Sequence, residues 1–430
     1  MRVLIISKEA WRNEQNGGNV LTNIFENFSG DYAQIYCTDA LPNNSICKSY
    51  YQMTDNMMVN NILHNKKVGK EIKYENYPYD TKAYVQKYNS LKKCNLPIVP
   101  VLREIVWKIA KWDIDGIKNF VLDFNPDVIF APCYGSHYMI KLTKIVKSFC
   151  DVPVISYISD DFYTNKQFNF SIIYWLNHFI LRKHVSDVFK LYDLVYTMTN
   201  EQKSQCEKDF HANMKILRKV GNFDKKRLKT KVNNPIRFVY AGGIYLNRWK
   251  TLVSLAESIK KINKNGTKMV LDIYTTNEIS PKVLNILNDN KNSFVHKAVS
   301  LEELKDIYSN SDIALHVEGF DIKNKMTVRL SFSTKIVDCL DSGCAVMAIC
   351  DDKQAGFSYL KKNNAALCID DKKNIYDCLL SIINNPQILI DYQKKAFDLG
   401  TLNHSKDIVI QNLKNDFEKV IGKSNESVAN

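Results

Sequence analysis

Residues Val239–Ile259 read VYAGGIYLNRWKTLVSLAESI, Ser311–Phe320 read SDIALHVEGF, and Arg329–Ile349 read RLSFSTKIVDCLDSGCAVMAI. Each piece pairs a buried-looking strand with a turn rich in Gly, Ser or Thr, followed by a helix or a charged side chain. Turns of this kind leave backbone N–H groups and helix N-termini free to hold an anion. Outward from this stretch, short β-rich runs alternate with helical patterns along almost the whole chain. In the first half the strand candidates are Arg2–Ser7, Gln34–Thr38, Asp127–Ala131, Pro153–Ile158 and Leu194–Met198. In the second half they are Ile236–Ala241, Met269–Tyr274, Asp312–Val317, Ala345–Cys350 and Ala365–Ile369. Most are continuous apolar runs, as strands covered on both faces require. The alternation predicts an α/β chain with two doubly wound parallel sheets.

The break between the halves is expected at Gly221–Pro235. Lys225, Lys226, Arg227, Lys229 and Lys231 give that stretch charge without periodicity, and it reads as a linker. The reading divides the chain into 1–222, 236–402 and a terminal part, 403–430. The last part holds a helix from about Ser405 to Ile421 and a polar tail, Gly422–Asn430, expected to fray.

A length of 430 residues with 45% hydrophobic content supports several domains with real cores. Met1–Ser7 runs straight into Lys8, Glu9 and Arg12 without a small-residue cleavage site, so no signal peptide is expected. No uncharged apolar run reaches the length of about 18 residues that a spanning helix needs. The 11 cysteines include no CxxC pair, which fits a reduced cytoplasmic setting better than disulfides or zinc. The formal charge of +13 favours anionic partners. Nucleic acid is not expected among them, because the lysines are scattered and no binding motif is present. Two segments read as surfaces for an anionic membrane or, equally, as helices packed on their own domain. Pro100–Trp112 places Leu102, Ile105, Val106, Ile109 and Trp112 at helical spacing, and Ser171–His184 is apolar and then basic.

Several residue sets carry possible chemistry. Gly17-Gly18 follows the first strand before a helix. It is not GxGxxG, which argues against a dinucleotide dehydrogenase, though it allows close backbone approach to a ligand. PVISYISDD delivers Asp160 and Asp161 at a strand end, where open α/β sheets place ligands. One of them orients or deprotonates a hydroxyl, or else one caps a helix and the other is solvated. His137 follows another strand end and is either a ligand-side group or structural. Gly242-Gly243 is followed by Arg248 and Lys250, either of which would hold a phosphate if not simply solvated. Ser333 or Thr334 reads as the N-cap of a helix that starts at Lys335, a setting suited to a pyrophosphate.

The ordered set from about Ile236 to Ile369 resembles the sugar-nucleotide-binding half of GT-B glycosyltransferases of the family 4-like branch. The likeness is weaker over the first half, where the PDVIF and TNEQKSQCEKDF segments still fit. The resemblance implies two Rossmann-like domains facing a cleft, with the acceptor in the N-terminal domain and the donor in the C-terminal one. It implies that the last helix crosses back to the first domain. It implies a metal-independent, retaining hexosyltransferase-like enzyme with no cofactor, using a UDP- or GDP-linked nucleotide sugar. The acceptor would be a polysaccharide or lipid-linked saccharide of the capsule or lipopolysaccharide kind, met at the inner face of the membrane. Arg248 would hold the diphosphate, with Lys250, Lys335, Ser333 and Thr334. Glu318, beside Gly319, would contact the donor sugar, and Asp338 the ribose. Gly17, Gly18 and Gly242-Gly243 would border the donor, and His137 the acceptor. Two departures stand out. The familiar catalytic histidine is replaced by Ser159, leaving Asp160 or Asp161. The second acidic residue, Asp338, lies 20 positions beyond Glu318, after an insertion, Asp321–Leu330. A nucleotide-sugar epimerase and a non-catalytic carbohydrate-binding protein are the alternatives on the same fold.

Overall fold

The computed structural model describes residues 1–12, 16–74 and 98–429. Among these, β1 Arg2–Ser7, β2 Asp31–Tyr36, β3 Ser49–Gln52 and β4 Lys70–Lys73 join β5 Val128–Phe130, β6 Val154–Tyr157, β7 Leu194–Thr197 and β8 Met214–Ile216. They form one sheet of order β4-β3-β2-β1-β5-β6-β7-β8, parallel except for β4. A second sheet holds β9 Ile236–Ala241, β10 Met269–Thr275, β11 Ser293–Lys297, β12 Ile313–Val317, β13 Ala345–Ile349 and β14 Leu367–Ile369. Its order is β11-β10-β9-β12-β13-β14.

The apolar runs explain the layering. In β1, Leu4 and Ile6 enter one core cluster while Val3 and Ile5 enter another on the opposite face. In β12, Ile313, Leu315 and Val317 face one way and Ala314 the other. A strand covered on both sides by helices has no wet face and no place for polar alternation. The strands that lacked this signal are β3, β4, β8 and β11. β4 reads KEIK, with only Ile72 buried, as suits an edge strand.

The final helix, Lys406–Ala429, leaves the second lobe and packs on the first. Leu413 and Phe417 are buried among Phe25, Phe28 and Phe130, and Asp416 accepts a hydrogen bond from the Tyr196 hydroxyl at 2.9 Å. The expected frayed tail is corrected: helix continues through Gly422 to Ala429. Gly221–Pro235 is also more than a linker. It contains a single 3-10 turn, Lys225–Arg227, and Arg227 reaches Asp341 at 2.7 Å. The two passages between lobes run side by side, because Gly221 bridges Ser405 and donates its N–H to the His404 carbonyl at 2.9 Å.

Candidate functional site at the carboxyl ends of β9 and β12

β9 hydrogen-bonds to β10 on one side and β12 on the other, so strand order reverses there. Such a switch point leaves a crevice at the carboxyl ends of the strands. Gly242 follows β9 at φ 145°, a conformation L side chains rarely adopt, and a Cβ there would strike the Lys335 side chain. Gly243 lends its carbonyl to the Tyr240 hydroxyl at 2.6 Å. Gly319, after β12, lets the Leu246 carbonyl approach where a Cβ would stand.

Arg248 opens the helix Arg248–Ile262 and is not the free cation its position after the glycines implied. Its Nε and Nη2 donate to Glu318 Oε2 and Oε1 at 2.7 and 2.8 Å. Both residues are buried, at 7% and 2% exposure, so the pair is largely out of water. This fork-on-fork geometry is the strong form of an ion pair. The remaining terminal nitrogen, Nη1, lies 3.5 Å from the Gly243 carbonyl. Lys335 lies beside this pair, its Nζ donating to the Tyr240 hydroxyl at 3.2 Å. Burial, then the nearby Arg248 charge, lowers its pKa to about 8. His316, inside β12, is buried, and its pKa falls to about 3 by desolvation and by the Arg248 and Lys335 charges. It is therefore a neutral imidazole, and its Nε2 has no hydrogen-bond partner.

Other expected members fall elsewhere. Lys250 is exposed, 5.5 Å over the Trp249 ring, and does not join the cluster. Thr334 stands at the start of the helix Lys335–Asp341 without capping it by its side chain, and its dihedrals are already helical. Ser333 supports that turn through its carbonyl, which accepts from Ile336 N at 3.0 Å. The expected hydroxyl cap is thus corrected. Asp338 is engaged by Lys219 at 2.5 Å. Gly17 and Gly18 lie in the first turn of the helix Asn16–Phe25, not in a turn before it.

The acidic pair divides in two. Asp161 is shut in: its side chain has 0% exposure and meets Arg329 Nη2 at 2.8 Å. It also accepts from Thr164 N at 3.1 Å and Thr164 Oγ1 at 2.8 Å. Asp160 is exposed, with the Ser331 hydroxyl 3.5 Å away. Desolvation by the surrounding cleft raises its pKa above the ordinary carboxylate value. Arg329 and Ser331 belong to the second lobe, so the insertion Asp321–Leu330 ends as a clasp on the first. Leu330 completes the clasp: it is 2% exposed within the first lobe's core cluster. Its carbonyl accepts from Thr199 Oγ1 at 2.9 Å. Burying one leucine contributes about 1.5–3 kcal/mol.

His137 starts the helix His137–Lys147 and lies apart from the cluster. Its Nδ1 is 2.9 Å from His184 Nδ1, and its Nε2 is 3.0 Å from Asn177 Oδ1. Sequence reasoning missed His316, Arg329 and Lys219. Arg329 had one signal, its place at the end of the insertion. Among the described residues, no three His, Cys, Asp or Glu side chains group as a metal set, and no helix is long and apolar enough to cross a membrane.

No family model matches the sequence, and no curated protein matches it. Solved structures do. Sucrose-phosphate synthase from Thermosynechococcus elongatus superposes with TM-score 0.62 at 9% identity, over 98% of this chain and 99% of that one. A structure described as trehalose-6-phosphate from E. coli bound with UDP-2-fluoro glucose gives TM-score 0.60 at 9% identity, over 97% and 99%. Anabaena Alr3699/HepE in complex with UDP gives TM-score 0.60 at 10% identity, over 97% and 100%. The chain has the GT-B fold, two Rossmann-like lobes joined as in these proteins.

Proposed function

We propose that this protein transfers a sugar from a UDP- or GDP-linked donor to a saccharide, as a metal-independent, retaining member of the family 4-like branch. The observation that carries this reading is the Lys335 ammonium laid against Gly242 beside the Arg248–Glu318 pair. A preorganised cation at a Gly-rich strand end is suited to a diphosphate and to the charge that grows on it. The solved neighbours with UDP or a fluorinated UDP-sugar support the same choice of donor. The acceptor is a polysaccharide or lipid-linked saccharide, met at the inner face of a membrane.

In this mechanism Lys335 binds the donor diphosphate and Arg248 Nη1 supports it from the Gly243 side. Arg248 also holds Glu318 in place for the sugar hydroxyls. The bond between the anomeric carbon and the diphosphate oxygen breaks, and positive charge grows on the sugar. The acceptor oxygen bonds to that carbon from the same face, and its proton passes to the departing diphosphate. Asp160, not Asp161, is the carboxylate that meets the acceptor, because Asp161 is spent on Arg329 and Thr164. A second reading, binding without turnover, draws on Arg248 being neutralised already by Glu318. The test is a thermal-shift screen with nucleotide sugars, followed by nucleotide release over an acceptor panel. A shift with release supports transfer; a shift without release on any acceptor supports binding alone; no shift overturns both.

A further inference from the structure

Two helices of the first lobe turn apolar side chains outward. On Ile98–Ile109 these are Leu102, Ile105 and Ile109. On Ile172–Phe189 and the loop before it, Phe170 is 90% exposed and Ile172 77%, and Ile173, Leu176 and Phe179 continue the run. Single exposed apolar residues are ordinary, but a run over neighbouring elements marks an interaction surface. Trp107 on the inner side of the first helix and Ala110 just past its end are buried, so the helix is already seated and its outer stripe is surplus to the core.

A groove of ≈ 600 Å³ lies between these two helices, over the helix His137–Lys147. Ile105, Ile140, Ile145 and Ile180 line it, and Trp107 stacks on Tyr138 with ring centroids 4.2 Å apart. Lys108, Lys141 and Lys144 also line it. Glu104 is the one carboxylate among the described lining residues, and its oxygens accept from the N–H groups of His137 and Tyr138, each at 3.2 Å. The face is therefore apolar at its centre and cationic at its border.

We propose that this face docks on a bilayer containing anionic phospholipid, with both helices in the interface plane and one acyl chain in the groove. Apolar burial plus attraction of basic side chains to anionic headgroups is how interfacial helices bind. Charge excludes the nearest rivals. A second copy would place the same patch against itself, bringing two lysine borders together. Residues 75–97, which lead into Ile98–Ile109, carry four Lys against one Asp and one Glu and do not complement a lysine border. The His137 end of the groove follows β5, at the carboxyl edge of the first sheet. That edge faces the cleft, so docking brings a membrane-held acceptor near Asp160, a consequence that rests on the transfer reading.

The test is flotation of the full-length protein with vesicles of phosphatidylcholine, alone or mixed with phosphatidylglycerol. The protein is expected to float with the mixed vesicles, less so as salt rises. Ile173→Glu with Leu176→Glu, both at exposed positions, is expected to cut the bound fraction by about tenfold with melting unchanged. Lys141→Gln with Lys144→Gln is expected to act similarly. The proposal is overturned by absence of flotation, by equal flotation of the variants, or by a dimer that Ile173→Glu dissolves. Flotation that appears only after cleavage within residues 75–97 overturns it too. Donor-induced thermal shift in the same samples separates the readings: shift without flotation sinks the docking face, and flotation without shift sinks the transfer reading.

Discussion

The two lobes share one architecture and use it in opposite ways. The second gathers charge at its strand ends, with Arg248, Glu318 and neutral His316 all buried and Lys335 beside them. The first turns isoleucine, leucine and phenylalanine outward on two helices. A buried charge must be matched where it sits, since desolvation penalises any unpaired ion. An exposed apolar face is matched by something outside the chain. The Arg248–Glu318 pair is thus complete within the second lobe, and the apolar face of the first is not.

The largest expected effect attacks that completeness. Arg248→Ala leaves the Glu318 charge buried and alone, which is expected to cost about 3–5 kcal/mol in chemical denaturation. Arg248→Met with Glu318→Gln removes both charges and is expected to recover most of that stability. Transfer in the double variant stays down by more than about tenfold, or about 1.4 kcal/mol of transition-state stabilisation. Equal destabilisation in single and double variants would show that the two charges do not match each other.

Next in size is the clasp between the lobes. Arg329→Ala leaves Asp161 with Thr164 as its remaining described partner. The expected loss is about 2 kcal/mol, with calorimetry resolving two transitions where the native protein shows fewer. An unchanged melt would mean that Leu330 and Thr199 hold the lobes without the ion pair.

A smaller effect sharpens the comparison through pH. Lys335 has its pKa lowered from 10.5 to about 8, mainly by burial. The unfolded chain keeps that proton to higher pH, so this group makes stability rise as pH passes from about 8 towards 10.5. On the proposed transfer reading donor affinity runs the other way, because the diphosphate would need the ammonium. Calorimetric affinity for UDP is expected to fall above about pH 8, and to stay level in Lys335→Arg, whose guanidinium keeps its proton. An identical fall in both proteins would remove Lys335 from the phosphate. The smallest effect is expected at Lys250→Ala, within about 0.5 kcal/mol in stability and with transfer unchanged, as for an ordinary surface cation.

Much of this was legible in the sequence wherever a local pattern carried it. Continuous apolar runs marked β1, β9, β12 and β13, because strands covered on both faces have no polar alternation to confuse them. β4 and β11 were not legible: KEIK and SFVHK lie at sheet edges, where pairing and not composition decides the strand. Gly242, Arg248, Glu318 and Lys335 were named within a larger donor set that also held Lys250, Ser333, Thr334 and Asp338, and the bond that ties Arg248 to Glu318 across 70 positions was not anticipated. The different fates of Asp160 and Asp161 were equally hidden. Both sit at the end of β6, and Arg329, 168 positions away, selects between them. No local rule of spacing reports a contact set by the docking of two lobes.

The side-by-side passages at Gly221 and Ser405 have a mechanical consequence. Two seams so close behave as a single pivot: the lobes keep one easy swing about the line through both, while other rotations would shear the bridge between them. His404 sits buried at that line, its Nδ1 2.8 Å from the Lys219 carbonyl, and joins both seams in one knot. Opening the mouth of the molecule therefore draws one residue, Leu330, out of the first lobe's core. It also asks that the grip of Arg329 on Asp161 and the ion pairs Lys219–Asp338 and Lys362–Glu201 let go, and the largest share of that leverage belongs to residues Arg329–Ser331.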